Sequence, residues 1–185
     1  MPGNAALARL VAGNARYVAG IPERNLQDES QRQAVIAGQE PFAVILSCAD
    51  SRVVPELIFD TGIGELFVVR VAGNIANTSS VASIEFAVAS LGVRVVVVLG
   101  HQSCGAVTAA IAGGDHGPNL NHLVAHIQPA VEATTSGDVD DTVITNARMT
   151  AANLLARSQI LRETPGLVVV PAWYLLEGGR VEYFD

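Results

Sequence analysis

The chain has 185 residues, of which half are hydrophobic and 16% are charged, and its formal net charge is −7. This composition excludes an intrinsically disordered chain and allows one domain with a full hydrophobic core. The eleven basic residues are all arginines scattered along the chain, so no nucleic-acid patch is expected, and no apolar stretch reaches the roughly 20 residues of a membrane span, so we expect a cytoplasmic protein.

Helical and strand patterns alternate along most of the chain. Apolar residues at helical spacing predict helices over 5–19 and 31–37. Continuous apolar runs predict buried strands at 42–46, 66–71, 93–99 and 167–170. Further helical patterns cover 79–91, 104–112, 119–134 and a long segment that ends near 162. The tail predicts a last strand, turned back by Gly178-Gly179 at the sheet edge. This order predicts an α/β fold with a mainly parallel central β-sheet flanked by helices.

Two of the predicted strands end in residues that bind metals. The first runs into "CADSRV", which contains Cys48, Asp50 and Arg52, and the third runs into "GHQSC", which contains His101 and Cys104. Because binding sites in open α/β sheets gather at the carboxyl ends of strands, we expect these segments to meet. Thiolate and imidazole ligands suit zinc, and with only two cysteines in the chain the closed Cys₄ and Cys₃His structural sites are excluded. The pattern favours an open, catalytic Cys–His–Cys site with Asp50 as an optional fourth ligand.

Ordinary packing is the alternative interpretation of two buried cysteines and a histidine. The Asp50 and Arg52 pair favours the metal site, because an ion pair at an otherwise apolar strand end has little structural value of its own.

Together, "CADSRV" and "GHQSCGAV" resemble the zinc-binding pattern of the β-class carbonic anhydrases, C-x-D-x-R followed by H-x-x-C. The resemblance extends from "RLVAGNARYVAG" through "FVVRVAGN" to the last strand. It implies a zinc enzyme that hydrates CO₂ reversibly to bicarbonate and a proton through zinc-bound hydroxide. It also implies one Zn²⁺ per chain on Cys48, His101 and Cys104, with Asp50 and Arg52 as a catalytic pair beside the metal.

The same resemblance implies a substrate pocket formed by Gln39, Phe67 and Phe86. Phe86 stands where plant-type members commonly have tyrosine, so the pocket wall loses a hydroxyl. The pocket is expected at a subunit interface, with the N-terminal helix packing on the partner subunit in a homodimer or a dimer of dimers. The high apolar content also favours a homo-oligomer, because surface of this kind is often covered by another subunit.

As a single domain, the chain 1–185 is expected to contain three parts. These are a helical N-terminal arm at 1–40, a zinc-binding α/β core at 41–112, and C-terminal helices and last strands at 113–185.

The position of Asp50 separates two forms of such a site. Held by Arg52, the carboxylate orients the water; released, it binds the zinc and displaces the water. We predict the open form at neutral or higher pH, because Arg52 lies two residues from Asp50.

Three other functions are alternatives. A relative that hydrolyses carbonyl sulfide or carbon disulfide uses a similar zinc core. A nucleotide-binding regulatory module would use the cysteines as a redox or structural pair, but "TGIGE" (61–65) lacks a Walker lysine and is interpreted as a turn. A purely structural zinc protein would bind the metal without hydrating CO₂.

Three histidines fall outside the two motifs, namely His116, His122 and His126. They are predicted to be exposed side chains rather than a second metal site, and one of them is a candidate proton relay.

Overall fold

The strands are formed by the continuous apolar runs, and the polar segments connect them. The computed structural model describes residues 3–23 and 27–185. The five strands are β1 (Ala43–Ser47), β2 (Leu66–Arg70), β3 (Val95–His101), β4 (Val168–Tyr174) and β5 (Val181–Tyr183). The helices are α1 (Gly3–Ala19), α2 (Glu29–Ala34), α3 (Pro55–Ile58), α4 (Thr78–Ser90), α5 (Gly105–Ala112), α6 (Pro118–Ala125), α7 (Gln128–Ala133), α8 (Val139–Arg157) and α9 (Gln159–Glu163). A short 3₁₀ turn, Ala72–Asn74, follows β2.

The strands form one sheet in the order β2-β1-β3-β4-β5. The first four are parallel, and β5 pairs antiparallel with β4 at the edge. Every residue of β1 and β3 is buried, because helices cover both faces of the sheet. The predicted α/β fold with a mainly parallel sheet is therefore confirmed.

Two hydrophobic clusters lie on opposite faces of the sheet. On one face, Ala6 and Leu10 of α1 pack with Phe59 and the inward side chains of β1 and β3. On the other face, α4, α8 and α9 cover the alternate side chains of the same strands. The outer side of α1 leaves Val11 and Val18 about half exposed.

Three predicted helices differ from the structure. The helix predicted at 31–37 is α2, which begins earlier because the Asp28 carboxylate caps the Gln31 N–H. The segment 119–134 is two helices, since Pro129 cannot donate the backbone hydrogen bond that would join them. The long helix ends at Arg157, where the Ser158 hydroxyl accepts the Leu161 N–H and begins α9.

The remaining elements follow the predictions closely. The fourth strand runs on to Tyr174, and the tail turns back through Gly178 and Gly179 into β5. The segment 61–65 is a turn, as predicted. Within the described ranges, no helix is both long enough and apolar enough to cross a membrane.

Candidate active site

The carboxyl ends of β1 and β3 bring the two cysteines and one histidine together. Ser47 pairs with Leu99 in the parallel register, so Cys48 and His101 emerge at the same edge of the sheet. Cys104 lies at the N-terminus of α5, just after the turn that follows His101. Their ligand atoms all lie within 4.8 Å of one another, and the two sulfurs are 4.0 Å apart. The predicted meeting of these segments is confirmed, and the group is suited to hold a metal ion.

The surroundings of this group fit a metal as well as its geometry does. All three side chains are at most 4% exposed. The Nδ1 atom of His101 lies 2.9 Å from the Gln102 carbonyl oxygen, an arrangement in which Nδ1 carries the proton and Nε2 the free lone pair. Nε2 is buried and has no hydrogen-bond partner among the described residues. A buried polar nitrogen without a partner is costly, so its lone pair beside two sulfurs favours a bound cation.

Hydrogen bonds favour the thiolate form at Cys48. The contact with the Cys104 sulfur, together with the Gly73 N–H, lowers the pKa of Cys48. The Gly73 nitrogen lies 3.3 Å from the Cys48 sulfur. The same contact with Cys48, followed by burial, raises the pKa of Cys104. One sulfur is thus prepared as an anion, and a metal cation would favour deprotonation of the second.

Asp50 is held by Arg52 in a two-pronged ion pair beside the group. Arg52 Nε donates to Asp50 Oδ1 at 2.9 Å, and Nη2 donates to Oδ2 at 2.8 Å. The Arg52 backbone N–H also donates to Oδ1 at 2.9 Å. The hydrogen bond from the Arg52 side chain is the main reason that the pKa of Asp50 lies well below its usual range. Asp50 Oδ2 also lies 3.8 Å from His101 Nε2. The carboxylate is therefore close to the Cys–His–Cys group, but its hydrogen bonds are made with Arg52.

Sequence reasoning missed Arg70, which fixes the loop that carries Cys48 and Asp50. Its Nε donates to the Cys48 carbonyl at 3.1 Å, and its Nη2 donates to the Asp50 carbonyl at 2.7 Å. Arg70 is the last residue of β2, where it pairs with Ser47. The signal was an arginine that ends an otherwise apolar strand next to the cysteine-bearing strand.

The predicted pocket residues Gln39, Phe67 and Phe86 do not join this group within one chain. Gln39 is exposed and precedes β1, whereas Cys48 follows it. Phe67 pairs with Val44 near the amino end of the sheet. Its ring lies 6.3 Å from that of Phe86, which is 51% exposed. The three residues therefore lie toward the amino ends of the strands, and the Cys–His–Cys group lies at the carboxyl ends.

The three remaining histidines lie outside the Cys–His–Cys group. His122 is exposed, as predicted, whereas His116 and His126 are half-buried. The His122 and His126 rings meet edge to face at 5.2 Å, and burial lowers the pKa of His126.

Comparison with known proteins agrees with this geometry. A family model described as carbonic anhydrase matches residues 43–181, which include both motifs and four of the five strands completely. The chain belongs to the β-carbonic anhydrase family. Carbonic anhydrase 2 of Mycobacterium tuberculosis is 41% identical over 191 aligned positions, which cover 98% of this chain and 92% of that protein. The carbonic anhydrase of Mycolicibacterium smegmatis is 38% identical and covers 96% and 91%.

Solved β-carbonic anhydrase structures share the fold. A tetrameric β-carbonic anhydrase of Sordaria macrospora superposes with a TM-score of 0.77 at 23% identity, over 98% of both chains. A β-carbonic anhydrase of Aspergillus fumigatus superposes with a TM-score of 0.75 at 27% identity, over 98% of this chain and 90% of that one.

Proposed function

We propose that the enzyme catalyses the reversible hydration of CO₂ to bicarbonate and a proton at a zinc ion bound by Cys48, His101 and Cys104. The observation that carries the proposal is the buried Cys–His–Cys group with an ion-paired carboxylate beside it. Thiolate and imidazole ligands select zinc over magnesium or calcium. Three ligands leave a position for water, which a structural site would close.

When bound, zinc would supply a water of lowered pKa, as it does in the carbonic anhydrases that hold it with three histidines. The residues of the chain orient that water. Asp50 would accept a hydrogen bond from it and direct its lone pair toward CO₂. Arg52 keeps the carboxylate ionised and fixes its direction, because it donates to both carboxylate oxygens.

An open site, in which Asp50 does not bind the metal, is part of the proposal. Both oxygens of Asp50 accept hydrogen bonds from Arg52, and a move of the carboxylate onto the metal would break these charge-assisted bonds. X-ray absorption at the zinc edge at about pH 8 should find two sulfurs, one nitrogen and a water oxygen. Two sulfurs, one nitrogen and a carboxylate without water would refute the open form.

A second copy of the chain is proposed to complete the pocket. Gln39, Phe67 and Phe86 are too far along the sheet to reach the metal group of their own chain, and the exposed Phe86 ring is available to a partner. We therefore propose a homodimer or a dimer of dimers, with α1 contributing to the contact through Val11 and Val18.

Mixing two inactive variants tests this arrangement. Cys48→Ala removes a proposed metal ligand, and Phe86→Glu places a charged side chain in the apolar wall of the proposed pocket. In a mixed dimer, one of the two sites receives an intact metal group from one copy and an intact wall from the other. Refolding the two variants together should restore part of the activity, and light scattering should find a dimer or tetramer. No restored activity in a preparation whose mixed dimers are detected by native mass spectrometry would show that the pocket belongs to one chain.

The overall proposal is tested by measuring zinc content and CO₂ hydration on the same preparation across pH. One zinc per chain with fast hydration supports it. Release of sulfide from carbonyl sulfide should be measured in parallel. Sulfide release that is faster than CO₂ hydration would move the assignment to a carbonyl sulfide hydrolase, and zinc without either reaction would indicate a structural site.

A further inference from the structure

The long helix α8 contacts the surroundings of the metal-binding group at three points. The first is Gly100, which precedes His101 in β3. A Cβ atom at Gly100 would lie 2.7 Å from Cγ1 of Val143 and 3.6 Å from Cβ of Ala147. The absence of a side chain therefore lets α8 approach the end of β3 directly, and the two neighbouring turns of the helix face the residues around Cys48 and Cys104.

The second contact leads to Cys48. Asn146 is 2% exposed, and its Nδ2 donates to the Gly73 carbonyl at 2.9 Å. Gly73 in turn donates its N–H to the Cys48 sulfur. Only glycine fits at this position, because its φ is +69° and a Cβ atom there would lie 2.6 Å from Ile127 Cδ1. Asn146 thus fixes the residue that supplies a hydrogen bond to the thiolate.

The third contact leads to the turn between His101 and Cys104. The Asp140 carboxylate, in the first turn of α8, accepts the Ser103 N–H at 2.7 Å. Ser103 has a φ of +54°, an unfavourable backbone angle for a residue with a side chain. The Ser103 carbonyl also lies 3.5 Å from Nη2 of Arg52. Asp140 therefore stabilises a strained residue that adjoins Cys104 and faces the Asp50 partner.

We propose that α8 positions the metal site from both sides, through Asn146 acting on the Gly73 donor to Cys48 and through Asp140 acting on the Ser103 turn before Cys104. Both are positioning residues, since neither contacts the ligand atoms. The inference rests on the proposed metal binding.

The hydrogen bond to sulfur has a chemical consequence. Two thiolates cancel the charge of a divalent cation and weaken its Lewis acidity, and an N–H donor to one sulfur withdraws part of that negative charge. Asn146 is therefore expected to affect the electronic properties of the metal, and Asp140 the geometry of its Cys104 ligand.

The Asp140 contact is tested by three variants measured for Zn²⁺ affinity by competition with a chromophoric chelator. Asp140→Ala should raise the dissociation constant about 10-fold or more, the effect typical of a lost outer-shell partner. Asp141→Ala removes the same charge from the same helical turn without touching Ser103, and it should leave the affinity unchanged. Asp140→Asn keeps an oxygen acceptor and should restore most of the affinity. Equal affinities for the Asp140→Ala and Asp141→Ala proteins would overturn this half of the proposal.

The Asn146 contact is tested in protein loaded with Co²⁺, whose sulfur-to-metal absorption reports the charge on the thiolates. Asn146→Leu should shift this band to longer wavelength, because a sulfur that loses its donor gives up electron density more easily. Thr150→Val, a change of another buried polar side chain one turn along α8, should not shift it. Asn146→Leu should also lower the melting temperature of the metal-loaded protein more than that of the metal-free protein. An unshifted band, or equal losses of melting temperature, would reduce Asn146 to a packing role.

The wild-type protein separates the two levels of inference. If it binds neither Zn²⁺ nor Co²⁺, the proposed function itself fails. If it binds both and the variants behave like their controls, only the positioning role of α8 is wrong.

Discussion

Replacing Asp50 by asparagine separates orientation of the water from metal binding and from folding. Asparagine has nearly the same shape as aspartate and keeps one oxygen. The other oxygen becomes an NH₂ group, which cannot accept the hydrogen bond that Arg52 Nη2 makes at 2.8 Å. The substitution therefore removes one charge-assisted bond and the negative charge while leaving Cys48, His101 and Cys104 in place.

The structure predicts a small cost in stability and a large cost in rate. The Arg52 side chain is 53% exposed, and an ion pair this accessible to solvent contributes about 0–1 kcal/mol, so the free energy of unfolding should fall by no more than about 1 kcal/mol. Removing the group that orients the water should lower kcat/KM about 100-fold. That factor corresponds to about 2.7 kcal/mol of transition-state stabilisation. Zinc content should stay at one per chain.

Stopped-flow CO₂ hydration, zinc analysis and urea unfolding on the same preparation measure these three effects. Glu182→Gln is the matched control, because Glu182 in β5 forms an ion pair with Arg180, just before the strand, at the same two-residue spacing. The control should keep its rate. Full activity in the Asp50→Asn protein would remove Asp50 from the mechanism, and loss of zinc would show that the carboxylate is a ligand.

Three further predictions follow from the site and its surroundings. Gly73→Ala should lower the free energy of unfolding, measured in urea, by about 1–3 kcal/mol, because the positive φ of Gly73 disfavours a side chain and the new Cβ would approach Ile127. Gly105→Ala is the control, and it should leave the free energy of unfolding nearly unchanged, because its new Cβ meets open space. The Asp50 carboxyl ¹³C signal, identified by its absence from the Asp50→Asn protein, should titrate below the usual aspartate pKa of about 3.9, because Arg52 lowers the pKa. The stability that this pair contributes is then present above about pH 4 and is lost as pH falls below that value. A titration midpoint at or above about 3.9 would contradict the ion pair. Removing zinc with a chelator should lower the melting temperature, and adding zinc should restore it, because the metal binds only the folded protein; an unchanged melting temperature would argue against a buried site.

Much of the fold and the candidate metal group could be predicted because both depend on local patterns. Continuous apolar runs correctly located the four parallel strands, since strands covered on both faces have no polar side to display. Cys48 and His101 follow directly after two of these strands. Because binding sites gather where the carboxyl ends of parallel strands share one edge, the two residues were predicted to meet although 53 positions separate them. The ligand atoms of Cys48, His101 and Cys104 do lie within 4.8 Å of one another.

Helix boundaries were less predictable where a single residue interrupts a helical pattern. Pro129 and Ser158 both lie within segments whose apolar spacing continues across them. Whether the helix is interrupted there depends on one missing backbone N–H or one capping hydroxyl. The spacing of apolar residues does not reveal either of them.

By itself, the sequence determined which residue types stand at the strand ends and where the buried strands run, and thus the Cys–His–Cys group. Only the tertiary structure decided what surrounds that group. Asn146 reaches Gly73 across 73 positions, and Asp140 reaches Ser103 across 37. Such side-chain-to-backbone bonds leave no periodic trace, because they depend on how closely a helix approaches a strand end.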